Sequence, residues 1–178
     1  MTPEEFETML KHKAAVIQDY ASNTFPTNAG NITLRFINGN FRAGGFQGTN
    51  FQRWKKSNKK NGTTMVKSGA LRIATYYTTQ NGQVTMKNNL PYAKIHNEGG
   101  VINKPSRKAS LNFKISSNGN SRFSKAKKAN FQQDVKIMAH KITIPKRQFM
   151  PTSASDSPQL INSIQRDVAR DIEKLFKR

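Results

Sequence analysis

The sequence predicts an α+β fold: a small antiparallel sheet with N- and C-terminal amphipathic helices packed on it, plus a long basic loop or hairpin insertion. Three observations predict this. Both ends of the 178-residue chain carry helix-start signatures followed by apolar residues at helical spacing. Two alternating segments flank Asn81-Gly82, the strongest short hairpin signal in the chain. From about Asn103 to Asn130 periodicity gives way to Ser, Asn, Gly and Lys, including Ser116-Ser117-Asn118-Gly119-Asn120. The length suits one domain, 1–178, with 101–135 as a basic loop or hairpin insertion.

The first helix opens on Thr2-Pro3-Glu4-Glu5, with a capping hydroxyl, proline where a missing N–H is tolerated, and Glu at the third position. Phe6, Leu10, Ala14, Ile17 and Ala21 then mark one apolar stripe. The pattern predicts an end near Ser22-Asn23, before Pro26, and a short strand over Ile32–Ile37, where Ile32, Leu34 and Phe36 alternate with polar neighbours. Asn38 to Gly69 reads as irregular surface chain anchored by Phe51 and Trp54. Leu71–Thr79 and Gln83–Lys87 form the predicted hairpin. Ile73, Thr75 and Tyr77 face one way, and Val84 and Met86 face the core.

Leu90–Gly100, LPYAKIHNEGG, reads as a strand running into one helical turn, with Pro91 at its start and Gly99-Gly100 able to supply the positive φ that ends it. Tyr92, Ala93 and Ile95 are its packing groups, and Tyr92 and Ile95 are expected in the core. After the insertion, through which Leu111–Ile115 is a strand candidate, order resumes at Lys136–Ile144. IPKRQFMP, from Ile144 to Pro151, follows. The last helix starts at Ser157-Pro158 and presents Leu160, Ile161, Ile164, Val168, Ile172, Leu175 and Phe176 on one face.

Composition bounds the function. A formal charge of +20 and a pI near 10.5 attract polyanions: nucleic acid, an acidic protein surface or an anionic membrane. Between Tyr20 and Gln133 the sole acid is Glu98. The others cluster near the ends, as in Glu4, Glu5, Glu7 and Asp167, Asp171, Glu173. There is no cysteine, so disulfides and thiolate metal sites are excluded. No apolar run approaches membrane-spanning length, and the helices carry acids on their polar faces, which disfavours a membrane partner. The N-terminus lacks the basic and apolar regions of a signal peptide, and the absence of cysteine is compatible with a reducing cytoplasm.

The order of the pieces carries a resemblance. Gly69, Leu71 and Arg72 form a "G-x-L-R" entry to the hairpin. Tyr92, Ala93, Ile95 and His96 form "Y-A-x-I-H", followed by Gly99 and Gly100. Arg147 and Phe149 form "R-x-F" ahead of the last helix. In this order the motifs resemble the phage virion morphogenesis, or tail completion, family. The resemblance implies a structural virion protein without cofactor, at the head–tail junction or the tail end. It would be a ring subunit in hexamer or dodecamer form, beside portal, neck or tail-tube proteins. Ring contacts would also cover the open sheet edges of a small α+β domain.

His12, His96 and His140 have no second ligand at a metal-binding spacing. His96 is read as structural, a neutral imidazole whose hydrogen bonds order its turn. A nuclease would need acids for a metal, and Glu98 stands alone, so the expectation is a non-enzyme. Lys55, Lys56, Lys59 and Lys60, and Lys125, Lys127 and Lys128, are solvated loop charge or contacts to DNA or an acidic ring partner. Trp54 is expected to pack under its own loop rather than to stack on a base. Arg147 and Phe149 are read either as a subunit contact or as a strand edge with Phe149 in the core. A free nucleic-acid-binding protein is the alternative that would explain the charge but not the ordered motifs.

Overall fold

The computed structural model describes residues 2–57 and 64–177, so Lys59 and Lys60 lie outside the described residues. The chain divides into two compact units, Met1–Gly99 with Pro145–Arg178, and Gly100–Ile144.

In the first unit, helix α1 (Pro3–Asp19) starts with a capping box: Glu5 donates its backbone N–H to Thr2 Oγ1, and Glu5 Oε2 accepts from Thr2 N at 2.8 Å. The predicted stop before Pro26 is not there. Tyr20–Thr24 forms a π turn, with Phe25 N donating to Tyr20 O, and helix α2 continues over Phe25–Ala43. The wider turn relieves the proline, whose ring would otherwise meet the carbonyl four residues back. The predicted strand at 32–37 is likewise helix. Six residues fit period two by coincidence, whereas the buried positions Ala29, Thr33, Ile37, Asn40 and Phe41 follow the helical period. α2 ends at Gly44 in the left-handed region.

Strands β1 (Gly45–Gln47) and β2 (Phe51–Arg53) make a small antiparallel pair. Phe51, expected as an anchor, is half exposed. Trp54 is buried, as expected. Leu71 does not begin a strand: Ala70–Ile73 is one helical turn, α3, entered through Gly69 at φ 70°. It sinks Leu71 into the core and leaves Ile73 exposed. Strands β3 (Thr75–Gln80) and β4 (Gln83–Asn88) then pair in register across Asn81 (φ 49°) and Gly82 (φ 73°), the positive-φ pair of a type I′ turn. Helix α2 packs on this hairpin, where Tyr77 Oη donates to Asn31 Oδ1.

Helix α4 (Ala93–Glu98) follows, and helix α5 (Pro158–Lys177) closes the chain. Ser157 Oγ accepts from Leu160 N and donates to Gln47 O at 2.7 Å, so one hydroxyl caps α5 and ties it to β1. α5 lies along α2 through Asn28 Nδ2 donating to Asp171 Oδ2. The core comprises Ile37, Phe41, Trp54, Leu71, Ala93 and Phe149. Phe41 stands 5.4 Å from Trp54 and 5.2 Å from Phe149 between ring centres.

The second unit is all β. Strands β5 (Gly100–Lys104) and β9 (His140–Ile144) pair antiparallel. Strands β6 (Arg107–Ile115), β7 (Ser121–Phe123) and β8 (Phe131–Ile137) form a three-stranded sheet with β6 central. The nesting of β5–β9 around β6–β8 makes a long hairpin arm, its ladder interrupted at Pro105, which lacks an N–H to donate. The sheet is therefore distributed over several small antiparallel sheets, within the α+β class.

Candidate assembly site

The three sequence motifs sit far apart in the chain, and the first unit folds them together. A groove of about 270 Å³ is lined by Leu71 from α3, by Tyr92 and His96 from the α4 turn, and by Arg147 from the segment leading to α5. Ser57, Thr64, Met65 and Lys67 supply its other wall. Arg72 is exposed, Leu71 and Ala93 are buried, and Ile95 is half-buried. Tyr92, expected in the core, is instead 40% exposed, its ring 5.9 Å edge-on from that of His96.

The 147–150 segment is the hub of this site. Arg147 N donates to His96 O at 2.8 Å, and Gly99 N closes α4 on Ile95 O at 2.9 Å. Gly99 has φ 78°, and a Cβ there would stand 2.8 Å from Lys146 N, so only glycine lets the two segments approach. Asn97, buried at the centre, accepts from both Phe149 N and Met150 N at 2.9 Å through Oδ1. From the other side, Trp54 Nε1 donates to Gln148 O at 2.6 Å and Asn40 Nδ2 donates to Phe149 O at 3.1 Å. Arg147 Nε donates to Lys55 O at 2.9 Å. Phe149 is fully buried on an extended, unpaired segment rather than on a strand edge.

Sequence reasoning gave Asn97 no role beyond a polar group of its turn and passed over Asn40 and Gln148. The available signal was Asn97 itself: asparagine is a poor helix former, and one inside a six-residue helix suggests that its side chain serves the backbone elsewhere.

His96 orders the turn differently from expectation. Its backbone carbonyl makes the bond to Arg147, while its Nδ1 is buried without a hydrogen-bond partner. Burial first, and the nearby Arg147 charge second, hold the imidazole below its ordinary pKa of 6.5. Burial likewise lowers Arg147. The unfolded chain therefore takes up a proton at His96 more readily than the folded one. The stability from keeping His96 neutral is complete above about pH 6.5 and is lost as the pH falls from there towards the lower folded value. Thermal melts between about pH 7.5 and 5 should show a shallower decline for His96→Gln than for the native chain; parallel curves would remove His96 as the cause.

Lys55, Lys56, Lys125, Lys127 and Lys128 are exposed, and Lys55 and Lys56 follow directly on buried Trp54. Among the described residues, no group of three or more His, Cys, Asp or Glu could hold a metal ion, and no helix is long and apolar enough to cross a membrane.

The sequence profile of the phage virion morphogenesis family matches residues 42–169, which contain all three motifs and the groove they line. The chain belongs to this family. It is a structural component of a tailed-phage virion, acting at the tail or the head–tail junction among the other components of that region, and is not an enzyme. The match begins at the C-terminal end of α2, so α1 and the π turn lie outside it. No curated protein and no solved structure matches the chain.

Proposed function

We propose that this virion morphogenesis protein is a ring subunit, repeated as a hexamer or dodecamer, that completes the tail or joins head to tail beside portal, neck or tail-tube proteins. The observation that supports this reading is the surface of α1. Seventeen residues long, it has no buried side chain, and Phe6, Met9, Leu10 and Ile17 are each 39–50% exposed. Ile172 and Phe176 extend uncovered apolar surface along the end of α5, where Lys13 Nζ donates to Leu175 O. Contiguous apolar surface on this scale marks a protein interface, and a subunit repeated around an axis covers it with the next copy.

The groove residues Leu71, Tyr92, His96 and Arg147, with their chain neighbours Arg72 and Ile95, form a second contact in this reading. Gly69, Gly99 and Gly100 set the backbone that presents them, Ala93 packs beneath, and Phe149 anchors the segment. In this reading Lys55, Lys56, Lys125, Lys127 and Lys128 contact DNA in the channel or an acidic neighbouring ring, and the same partner is proposed for Lys59 and Lys60, which lie outside the described residues.

Electron microscopy of a lysate from phage lacking this gene tests the assignment. Full heads beside separate tails, or tails of uncontrolled length, are expected. Intact particles with tails of normal length would overturn it.

A further inference from the structure

The arm at Gly100–Ile144 holds ten lysines and arginines against one acid, Asp134. The register of its three-stranded sheet sorts the side chains sharply. Arg107, Ala109, Leu111, Phe113 and Ile115 of β6 share a face with Ser121 and Phe123 of β7 and with Phe131, Gln133, Val135 and Ile137 of β8, so that face carries all the apolar residues with three polar ones among them. Phe113 stacks on Phe123 with ring centres 5.0 Å apart, which confirms the sorting. The opposite face carries Lys108, Ser110, Asn112 and Lys114 of β6, Arg122 of β7, and Gln132, Asp134 and Lys136 of β8, with no apolar residue among them.

On that polar face the cations stand opposite one another. Lys108 is the register partner of Lys136, and Lys114 is the register partner of Arg122. Directly opposed side chains in an antiparallel pair have Cβ atoms about 5 Å apart, and like charges there oppose the pairing. Two such pairs on one face of one small sheet work against its folding. The lone acid does little to offset them: Asp134 accepts from its own register partner Ser110, and among the described residues no ion pair involves this arm. An anionic partner would remove the conflict.

The chemistry of the face selects the partner. A protein interface of any strength has an apolar or aromatic centre and is depleted in lysine, and this face has neither property. Its donors are Lys, Arg, Ser, Asn and Gln, the side chains that bond to phosphate oxygens. Single-stranded binding sites add aromatic platforms for bases, yet here every phenylalanine of the sheet lies on the other face. We propose that the Lys108–Lys114–Arg122–Lys136 face binds the phosphate backbone of duplex DNA without sequence readout. From Lys108 to Lys114 it extends about 20 Å, against about one duplex charge per 1.7 Å of axis.

This inference is independent of the ring reading, since it is tested on the purified full-length chain with no particle present. Binding to a random-sequence duplex is followed by fluorescence anisotropy across a salt series. The test variant is Lys108→Gln/Lys114→Gln/Arg122→Gln/Lys136→Gln. The control, Lys11→Gln/Lys87→Gln/Lys174→Gln/Lys177→Gln, removes the same charge from exposed positions of the other unit. The face variant should lose about a hundredfold or more in affinity at about 0.1 M salt, and its log–log salt slope should shrink by about 3–4, roughly one per cation removed. The control should stay within a few-fold of native.

Without DNA, the face variant should melt no lower than native, because two like-charge pairs are gone; this separates lost binding from lost folding. Equal losses in both variants would reduce the effect to overall charge and overturn the proposal. So would native protein that ignores duplex at about 0.1 M salt, leaving an acidic protein as the partner, or a preference for single strands.

Discussion

Replacing Phe149 with alanine is expected to destabilise the first unit by about 3–5 kcal/mol, the range for emptying a fully buried phenylalanine site. The ring is wholly excluded from solvent and stands 5.2 Å from Phe41, which in turn packs on Trp54. Neighbouring backbone cannot collapse into the space, because it is pinned on both sides. Asn97 holds the N–H of Phe149, Asn40 holds its carbonyl, and Trp54 holds the carbonyl of Gln148. Urea unfolding followed by the fluorescence of Trp54, the sole tryptophan, measures the loss directly. A change below about 1 kcal/mol would mean that the aromatic cluster is not the centre of the fold. If the total stability lies near about 5 kcal/mol, the low end of the usual range, the expected loss would leave many copies unfolded at working temperature.

The second large effect is expected at Asn97, which no measure of hydrophobicity would single out. Truncation to alanine removes one oxygen and strands two backbone donors, Phe149 N and Met150 N, at a site where Asn97 itself is 4% exposed. An unsatisfied buried donor costs about 1–3 kcal/mol, and because Met150 N is only part-buried the two together give an expected loss of about 2–4 kcal/mol. Asn97→Asp keeps acceptor oxygens in place and should recover part of it. If Asp and Ala were equally damaging, volume or charge rather than the paired acceptance would be the cause. Because the stranded groups belong to the segment between Arg147 and α5, the same truncation should loosen the groove. Hydrogen exchange at Arg147 and Phe149 should accelerate before that of α2.

Much of this was legible in the sequence where local chemistry is self-sufficient. The capping box at Thr2, the Asn81-Gly82 turn, the glycine stop of α4 and the Ser157-Pro158 start each depend on a few adjacent residues, and each appears as expected. Legibility failed where tertiary context overrode a local signal. Pro26 reads as a stop, yet a π turn carries the helix past it because α2 has a long face to bury against the hairpin and α5. Ile32, Leu34 and Phe36 read as a strand because six residues cannot separate period two from 3.6.

The groove was partly legible. Its motif residues were identified, but their convergence depends on Asn97, Trp54 and Asn40, whose partners lie 52, 94 and 109 residues away and cannot be named from local sequence. The two-faced arm was legible as a basic loop or hairpin insertion with one strand candidate, Leu111–Ile115, which lies within β6. Its sorting of phenylalanine from lysine emerges once the register of β6 with β7 and β8 is known.

The stitching of Gly99 to Lys146 has a consequence for how such a chain can change over generations. Chain leaves the first unit at Gly99 and returns at Pro145, and the first register pair of the arm is Gly100 with Ile144. Exit and re-entry are thus neighbours, held together by the Arg147–His96 bond whatever lies between them. Closing a longer loop across such a gate costs little, about 0.6 kcal/mol for each doubling of its length. The segment between the two glycines and the proline is therefore free to lengthen, shorten or be exchanged wholesale, while the aromatic core keeps the same neighbours. Variation in partner can accumulate in the arm at almost no expense to the architecture that carries it.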